Sequence, residues 1–313
     1  KDRAELSTWR TIGSTLANMV IGVATPMVAY VVVDGKTVMS GSRMTIIAGV
    51  FSICAILCYI VCFKLTRERV EVPASSQKVS ASAIFKSIFT NRALLGIIVA
   101  AIFVLLSQLT VMSLAGYVYP NVYGSAAAQS TASLLGTVIM LIVCAPFASK
   151  LAAKFGKKEL AVASSICSAL VWLVCLIWRP ASVWGFVACY ILANVGMGFF
   201  NTIIWAMITD VIDDAEVRSG IREDGTIYSV YSFARKLGQA FSSGLVGALL
   251  GIIGYTEATA FDPAVTRGIF NMACIAPIIG FVCIVLALVF LYPLNKKKVE
   301  ENVAALAARR NNK

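Results

Sequence analysis

Eight runs of about twenty or more mainly apolar residues recur along this chain, at 11–33, 44–65, 93–115, 131–149, 160–178, 183–207, 227–253 and 269–292. A helix rises about 1.5 Å per residue, so about 20 such residues cross the ~30 Å hydrocarbon core of a bilayer. Inside lipid the backbone must satisfy its own hydrogen bonds, and a helix does so within one segment. The runs predict an all-α integral membrane protein with eight transmembrane helices. Composition agrees: 14% of residues are charged, against about 25% in soluble domains. A soluble all-α protein is excluded, because its core helices rarely hold more than about 10–14 apolar residues in a row.

The net charge of +11 follows from topology. With a cytoplasmic start, the outside loops hold only Lys36, Arg43, Arg179 and Arg267. Apart from Arg235 and Lys236, which lie inside the seventh run, the other basic residues fall in inside segments. This is the positive-inside bias of a multi-pass membrane protein, with both chain ends cytoplasmic. The partner it implies is the lipid bilayer, with no nucleic acid. The start, "KDRAELSTWR", is charged and is no secretory signal; it opens on Lys1, and the native start is expected upstream. The nine cysteines all fall within the apolar runs, with Cys54, Cys58 and Cys62 on one helix face, and the chain has no histidine. Small, soft packing residues are expected there rather than metal ligands.

Residues 67–92 form the longest polar interruption and divide two helices (1–66) from six (93–294); a basic tail follows (295–313). In the interruption, Ile84, Phe85, Ile88 and Phe89 have the spacing of a short surface helix. In the tail, Val299, Val303 and Leu306 make an amphipathic stripe. Repeated six-helix halves joined by a long cytoplasmic loop are a transporter plan, and on that plan the first half lacks four helices. The loop "AGYVYPNVYG" clusters Tyr117, Tyr119 and Tyr123 as an interfacial belt or a ligand lid.

A cation at the centre of a bilayer helix costs about 2.5–3.5 kcal/mol, so Arg235 and Lys236 require a reason. On a helical projection Ser229, Ser232, Lys236, Gln239, Ser243, Gly247, Gly251 and Gly254 share one face. Val230, Ala234, Leu237, Phe241, Leu245, Ala248 and Ile252 share the opposite one. The first face is expected in the bundle interior and the second against lipid. Lys236 then points inward, while Arg235 is expected to snorkel toward a helix-end carboxylate. Ser7, Thr11, Ser14, Asn18 and Thr25, with Arg10 beside them, stripe the first helix; Asn194, Gly198, Asn201 and Trp205 share a face of the sixth. Cations, amides, hydroxyls and an indole converging on one cavity suit a sugar. An aromatic face stacks on the ring's C–H surface, and amides and cations bind hydroxyls or a carboxylate. Asp210, Asp213 and Asp214 are expected near a helix C-terminus, where the macrodipole disfavours them, and Arg218 and Arg222 are the nearest cations. The spacing also fits an Asp-rich Mg²⁺ loop of a membrane prenyltransferase, although the second such loop is missing.

The stretch "DVIDDAEVRSGIREDGTIYSVYSFARKLGQAFSSGLVGALLGIIGY", Asp210–Tyr255, resembles the glycoside–pentoside–hexuronide:cation symporter pattern D-x-x-D…R…Y-S…K-x-G-x-A…G-x-x-G-Y. "DRAELSTWRTIG", "FKSIFTNRALLG" and "KFGKK" resemble other parts of the same family, so the likeness covers essentially the whole chain. The resemblance implies a major-facilitator bundle represented by its helices 5–12, and symport of a sugar or glycoside with Na⁺ or H⁺. It implies alternating access and no enzymatic conversion or cofactor. Lys236 and Arg10 match sugar-site cations; Arg3, Asp210, Asp213 and Arg222 match a cytoplasmic gate network. The family's cation-binding acidic residues lie on helices one, two and four, so no residue here is assigned to the coupling ion. "YSVYSFARKLGQA" and "FLYPLNKKK" resemble the glucuronide-type branch most, which implies a hexuronide substrate. A lysolipid transporter of the same fold is the alternative, and it would want an apolar cavity.

Overall fold

A computed structural model describes residues 2–33, 36–65, 91–220 and 224–311. Helix α1 (Asp2–Ala29) leads into a hairpin of β1 (Tyr30–Val33) and β2 (Lys36–Met39), and then into α2 (Gly41–Leu65). Next come α3 (Arg92–Tyr117), α4 (Ala126–Ile139), α5 (Ala145–Phe155), α6 (Lys157–Trp178) and α7 (Val183–Ser219). The last helices are α8 (Asp224–Ile252), α9 (Pro263–Leu286) and α10 (Lys296–Asn311).

Helices occupy all eight expected places, but six of them are long and apolar enough to cross a membrane by length and composition. Helix α8 is not among the six because of its polar stripe; in α1 the residues with described side chains give the apolar stretch Leu16–Ala29. The expected helix at 30–33 is instead a strand, with Tyr30 opposite Met39 and Val32 opposite Thr37. Three consecutive valines stiffen the chain toward extended backbone, and the Asp-Gly pair after them favours a tight hairpin turn. The run expected at 131–149 is α4 and α5 joined through a wide π turn at Met140–Cys144. Pro146 sits in the first turn of α5; it has no N–H to donate, and the widened turn accommodates it.

The core lies among α3, α6, α7, α8 and α9. Asn91 caps α3 by accepting from the Leu94 N–H at 3.1 Å. Helix α3 packs against both α8 and α9, burying Leu94, Ile97, Ala101, Val104 and Leu114. Small residues permit the approach: a Cβ at Gly238 would stand 2.8 Å from the Ile102 carbonyl oxygen. In a membrane bundle such close contact supplies the packing that hydrophobicity cannot. Gly238→Val should therefore destabilise the bundle by about 1–3 kcal/mol, read as a lower unfolding midpoint in detergent. Gly244→Ala, where a Cβ meets nothing within 4 Å, should leave that midpoint unchanged.

At one end the tyrosines knit neighbours together. Tyr30 donates to the Gly116 carbonyl at 2.7 Å and Tyr123 to that of Pro180 at 2.9 Å. Tyr117 meets Tyr255 edge to face at 5.1 Å. Tyr119 is 1% exposed. These are packing contacts between elements rather than a free lid. Burial, then the neighbouring Tyr117 and Tyr255, pushes the Tyr30 phenol up to about 12, so it stays a donor across the physiological range.

At the other end α10 docks on the last turns of α7. Asn302 and Leu306 are buried, and Arg309 donates to the Glu216 and Val217 carbonyls at 3.3 and 3.0 Å. Val303, part of the apolar stripe with Val299 and Leu306, is 53% exposed. Asn302 is buried in its place because the buried Asp214 carboxylate needs a donor. The expected surface helix at 84–89 lies outside the described residues. Cys54, Cys58 and Cys62 are exposed, as is most of α2, which packs on α1.

Candidate functional site: a polar face and a charged end

Helix α8 sets the geometry. Its buried residues are Ile227, Val230, Tyr231, Ala234, Gly238, Ser242 and Val246, the face turned to α3. At the centre of that contact Thr110 and Ser242 share a hydrogen bond at 3.1 Å. Ser232, Lys236 and Ser243 are exposed and Gln239 is half-buried. Among the described residues the strip buried on α3 thus runs along the flank between the two projected faces. The apolar side is covered near Val230 and Ala234, leaving Phe241 and Ile252 exposed, and the polar side is open. Apolar side chains interlock with α3 around Gly238, whereas serines and a lysine would forfeit hydration there.

Lys236 Nζ donates to Gln239 Oε1 at 3.1 Å. Asn201 and Trp205 lie one turn apart on α7. Asn201 donates to Gln108 Oε1 of α3 at 3.4 Å. Trp205, 45% exposed, meets Tyr231 edge to face at 5.5 Å, and the Arg235 guanidinium lies 5.5 Å from its ring centre. The structure therefore brings Asn201, Trp205 and Arg235 together with Gln108 and Tyr231, and Lys236 with Gln239. Gln108 went unnoticed because one amide in an apolar run carries no periodic signal. Asn18 is exposed on α1, which packs on α2 and α4; among the described residues no hydrogen bond joins it to Lys236, Asn201 or Trp205. The side chain of Arg10 lies outside what is described.

The acidic cluster is built differently from expectation. Helix α7 runs to Ser219, so Asp210 is well inside it rather than near its C-terminus. At 37 residues and ~1.5 Å each, α7 exceeds a ~30 Å hydrocarbon core, and its last turns can stand beyond the lipid. Asp210, 5% exposed, pairs with Lys157 of α6 at 2.6 Å. Its second oxygen is buried with no hydrogen-bond partner among the described residues. Asp214 pairs with Arg218 at 2.8 Å and accepts from Asn302 at 3.0 Å. Arg218 thus serves Asp214, and Lys157 takes the place expected of an arginine at Asp210. Lys157 belongs to the "KFGKK" motif, which was its only signal. Asp213 is half-buried, the Arg3 side chain is outside what is described, and Arg222 lies outside the described residues. With Asp210 and Asp214 committed to protein cations, the cluster does not form an open Mg²⁺ loop.

A multi-pass, all-α helical bundle with a polar face and an internal charge network is the architecture of a membrane transporter. Over residues 1–296 the chain matches the family described as MFS/sugar transport protein, and it belongs to that family, which is one of transporters and not enzymes. It is 29% identical over 303 residues to the uncharacterized symporter YjmB of Bacillus subtilis, covering 95% of this chain and 64% of that protein. It is 27% identical over 264 residues to the glucuronide carrier protein homolog of Escherichia coli, covering 83% and 56%. It is 28% identical over 313 residues to a putative sulfoquinovose importer of Salmonella typhimurium, covering 99% and 64%. The chain thus spans 56–64% of the length of these relatives. The resemblance carried by Asp210–Tyr255 is borne out at the level of the family.

Proposed function

We propose that this chain is part of a secondary transporter that moves a sugar or glycoside, driven by Na⁺ or H⁺, through alternating access. The observation that carries the reading is the open polar face of α8. A stripe of Ser232, Lys236, Gln239 and Ser243 cannot face hydrocarbon cheaply, so it lines a watery cavity closed by further helices. Lys236, Gln239, Asn201 and Trp205 form the sugar side contributed by α7 and α8; Arg10 and Asn18 contribute from α1. A lysolipid would want an apolar lining, and this face is polar. A hexuronide is the substrate class that suits two adjacent cations, and the likeness to a glucuronide carrier homolog supports it.

The charged end serves as the inner gate. Lys157–Asp210 joins α6 to α7 and Asp214–Asn302 joins α7 to α10. Arg3, Asp213 and Arg222 complete the network around the Asp210 carboxylate. Both chain ends then lie in the cytoplasm. The test is uptake of radiolabelled methyl glucuronide by proteoliposomes holding the complete protein. Accumulation that needs an inward Na⁺ or proton gradient and collapses with the matching ionophore is expected; no accumulation under either gradient contradicts the reading.

A further inference from the structure

Helical spacing casts Arg235 as a snorkelling cation paired with a helix-end carboxylate, and the geometry is otherwise. Its guanidinium carbon lies 5.5 Å from the Trp205 ring centre and 5.8 Å from that of Tyr231. Its Nη1 donates to the Tyr231 hydroxyl at 3.3 Å. Among the described residues no carboxylate pairs with it. Arg235 stands about 16 Å along α8 from its Asp224 start, at ~1.5 Å per residue, and is half-buried there. Aromatic faces recover part of the cost of placing it there. The bond to the Tyr231 hydroxyl anchors one edge of the guanidinium beside them. Among the described residues one hydrogen bond is made by this guanidinium, whose fork matches two oxygens of one anionic group.

The surroundings are those of a binding subsite. One turn along α7 from Trp205, the Asn201–Gln108 bond leaves the Asn201 carbonyl oxygen and the Gln108 amide N–H groups available to hydroxyls. Lys236, the next residue on α8, has the neutral Gln239 as its partner, so the cluster carries two cations and no described anion. We propose that Arg235, held on Trp205 and Tyr231, is the specificity-determining residue of the sugar site and receives an anionic substituent, a carboxylate or a sulfonate. Asn201 and Gln108 take ring hydroxyls beside it. Trp205 carries the cation instead of stacking on the sugar. This inference rests on the transport reading and deepens it by naming the residue that reads the substrate's charge.

The experiment compares uptake of methyl glucuronide, methyl sulfoquinovoside and methyl glucoside by the complete protein in proteoliposomes, unaltered and as Arg235→Gln. The unaltered protein should favour at least one anionic compound over the glucoside by about tenfold or more, as expected for a charge-assisted pair. Arg235→Gln should bring the ratio within about twofold. An unaltered protein without anion preference, or a preference that survives Arg235→Gln, overturns the inference alone. Uptake of none of the three overturns the transport reading with it. Should Arg235→Gln fail to reach the membrane, the platform is tested instead: Trp205→Phe should keep the preference and Trp205→Leu should reduce it. Equal ratios in both would overturn the assignment.

Discussion

Lys236→Ala is expected to abolish gradient-driven uptake, by about 100-fold or more, while the protein accumulates in the membrane at its usual level. Both halves follow from its surroundings. The side chain is exposed and its partner is the neutral Gln239 at 3.1 Å, so removal opens no cavity and strands no buried charge. Changes of that kind usually stay within about 0.5 kcal/mol of stability. Losing one side of a desolvated charge-assisted contact to a ligand costs about 2–5 kcal/mol, and that is the scale of the expected loss. Lys236→Arg keeps the charge but exchanges a rotating ammonium for a rigid fork, and should recover binding only in part. Uptake by Lys236→Ala at the unaltered rate would remove Lys236 from the site.

The second large effect concerns Lys157 and Asp210. Lys157→Met leaves a carboxylate that is 5% exposed without its cation, and breaking one partner of a buried pair costs about 3–5 kcal/mol. A clear fall in the unfolding midpoint in detergent is expected. Asp210→Asn should cost less, because Lys157 is partly exposed and an amide oxygen still accepts its proton. The double variant Lys157→Met with Asp210→Asn should regain most of the stability lost by Lys157→Met. Transport separates gate from brace: as an inner gate the pair must break and re-form during each cycle, so the double variant should be stable and slow. A double variant with full stability and normal uptake would reduce the pair to a structural tie.

Much of this was legible in the amino-acid order, and the missing parts share physical causes. Hydropathy located the helices, since the lipid requirement acts on every spanning residue alike. Periodicity separated the stripe from Ser232 through Lys236 to Ser243 from the apolar face of α8 but did not name the neighbour. A projection holds no partner, and the close approach of Gly238 to Ile102 identifies α3 as that neighbour. Pairings distant in sequence were hidden: Lys157 with Asp210, Asn302 with Asp214, Asn201 with Gln108. Each depends on a helix–helix register that no local spacing encodes. The hairpin at Tyr30–Met39 was masked by its own valines, which score as apolar whether they cross lipid or pair as strands. Val303 belongs to the apolar stripe of α10 yet stays exposed, because the buried Asp214 selects an amide for the docking face of that helix.

The central claim is that the polar face of α8 borders water at membrane depth. Single cysteines at Ser232, Lys236, Gln239, Ser243, Phe241 and Ile252, placed in a background freed of the native thiols, test it in membranes with a hydrophilic maleimide. Reaction at the first four positions, slowed by substrate, and none at Phe241 and Ile252 is the result this account predicts. Silence at all four polar positions, or labelling of Phe241 and Ile252 in their place, would contradict it.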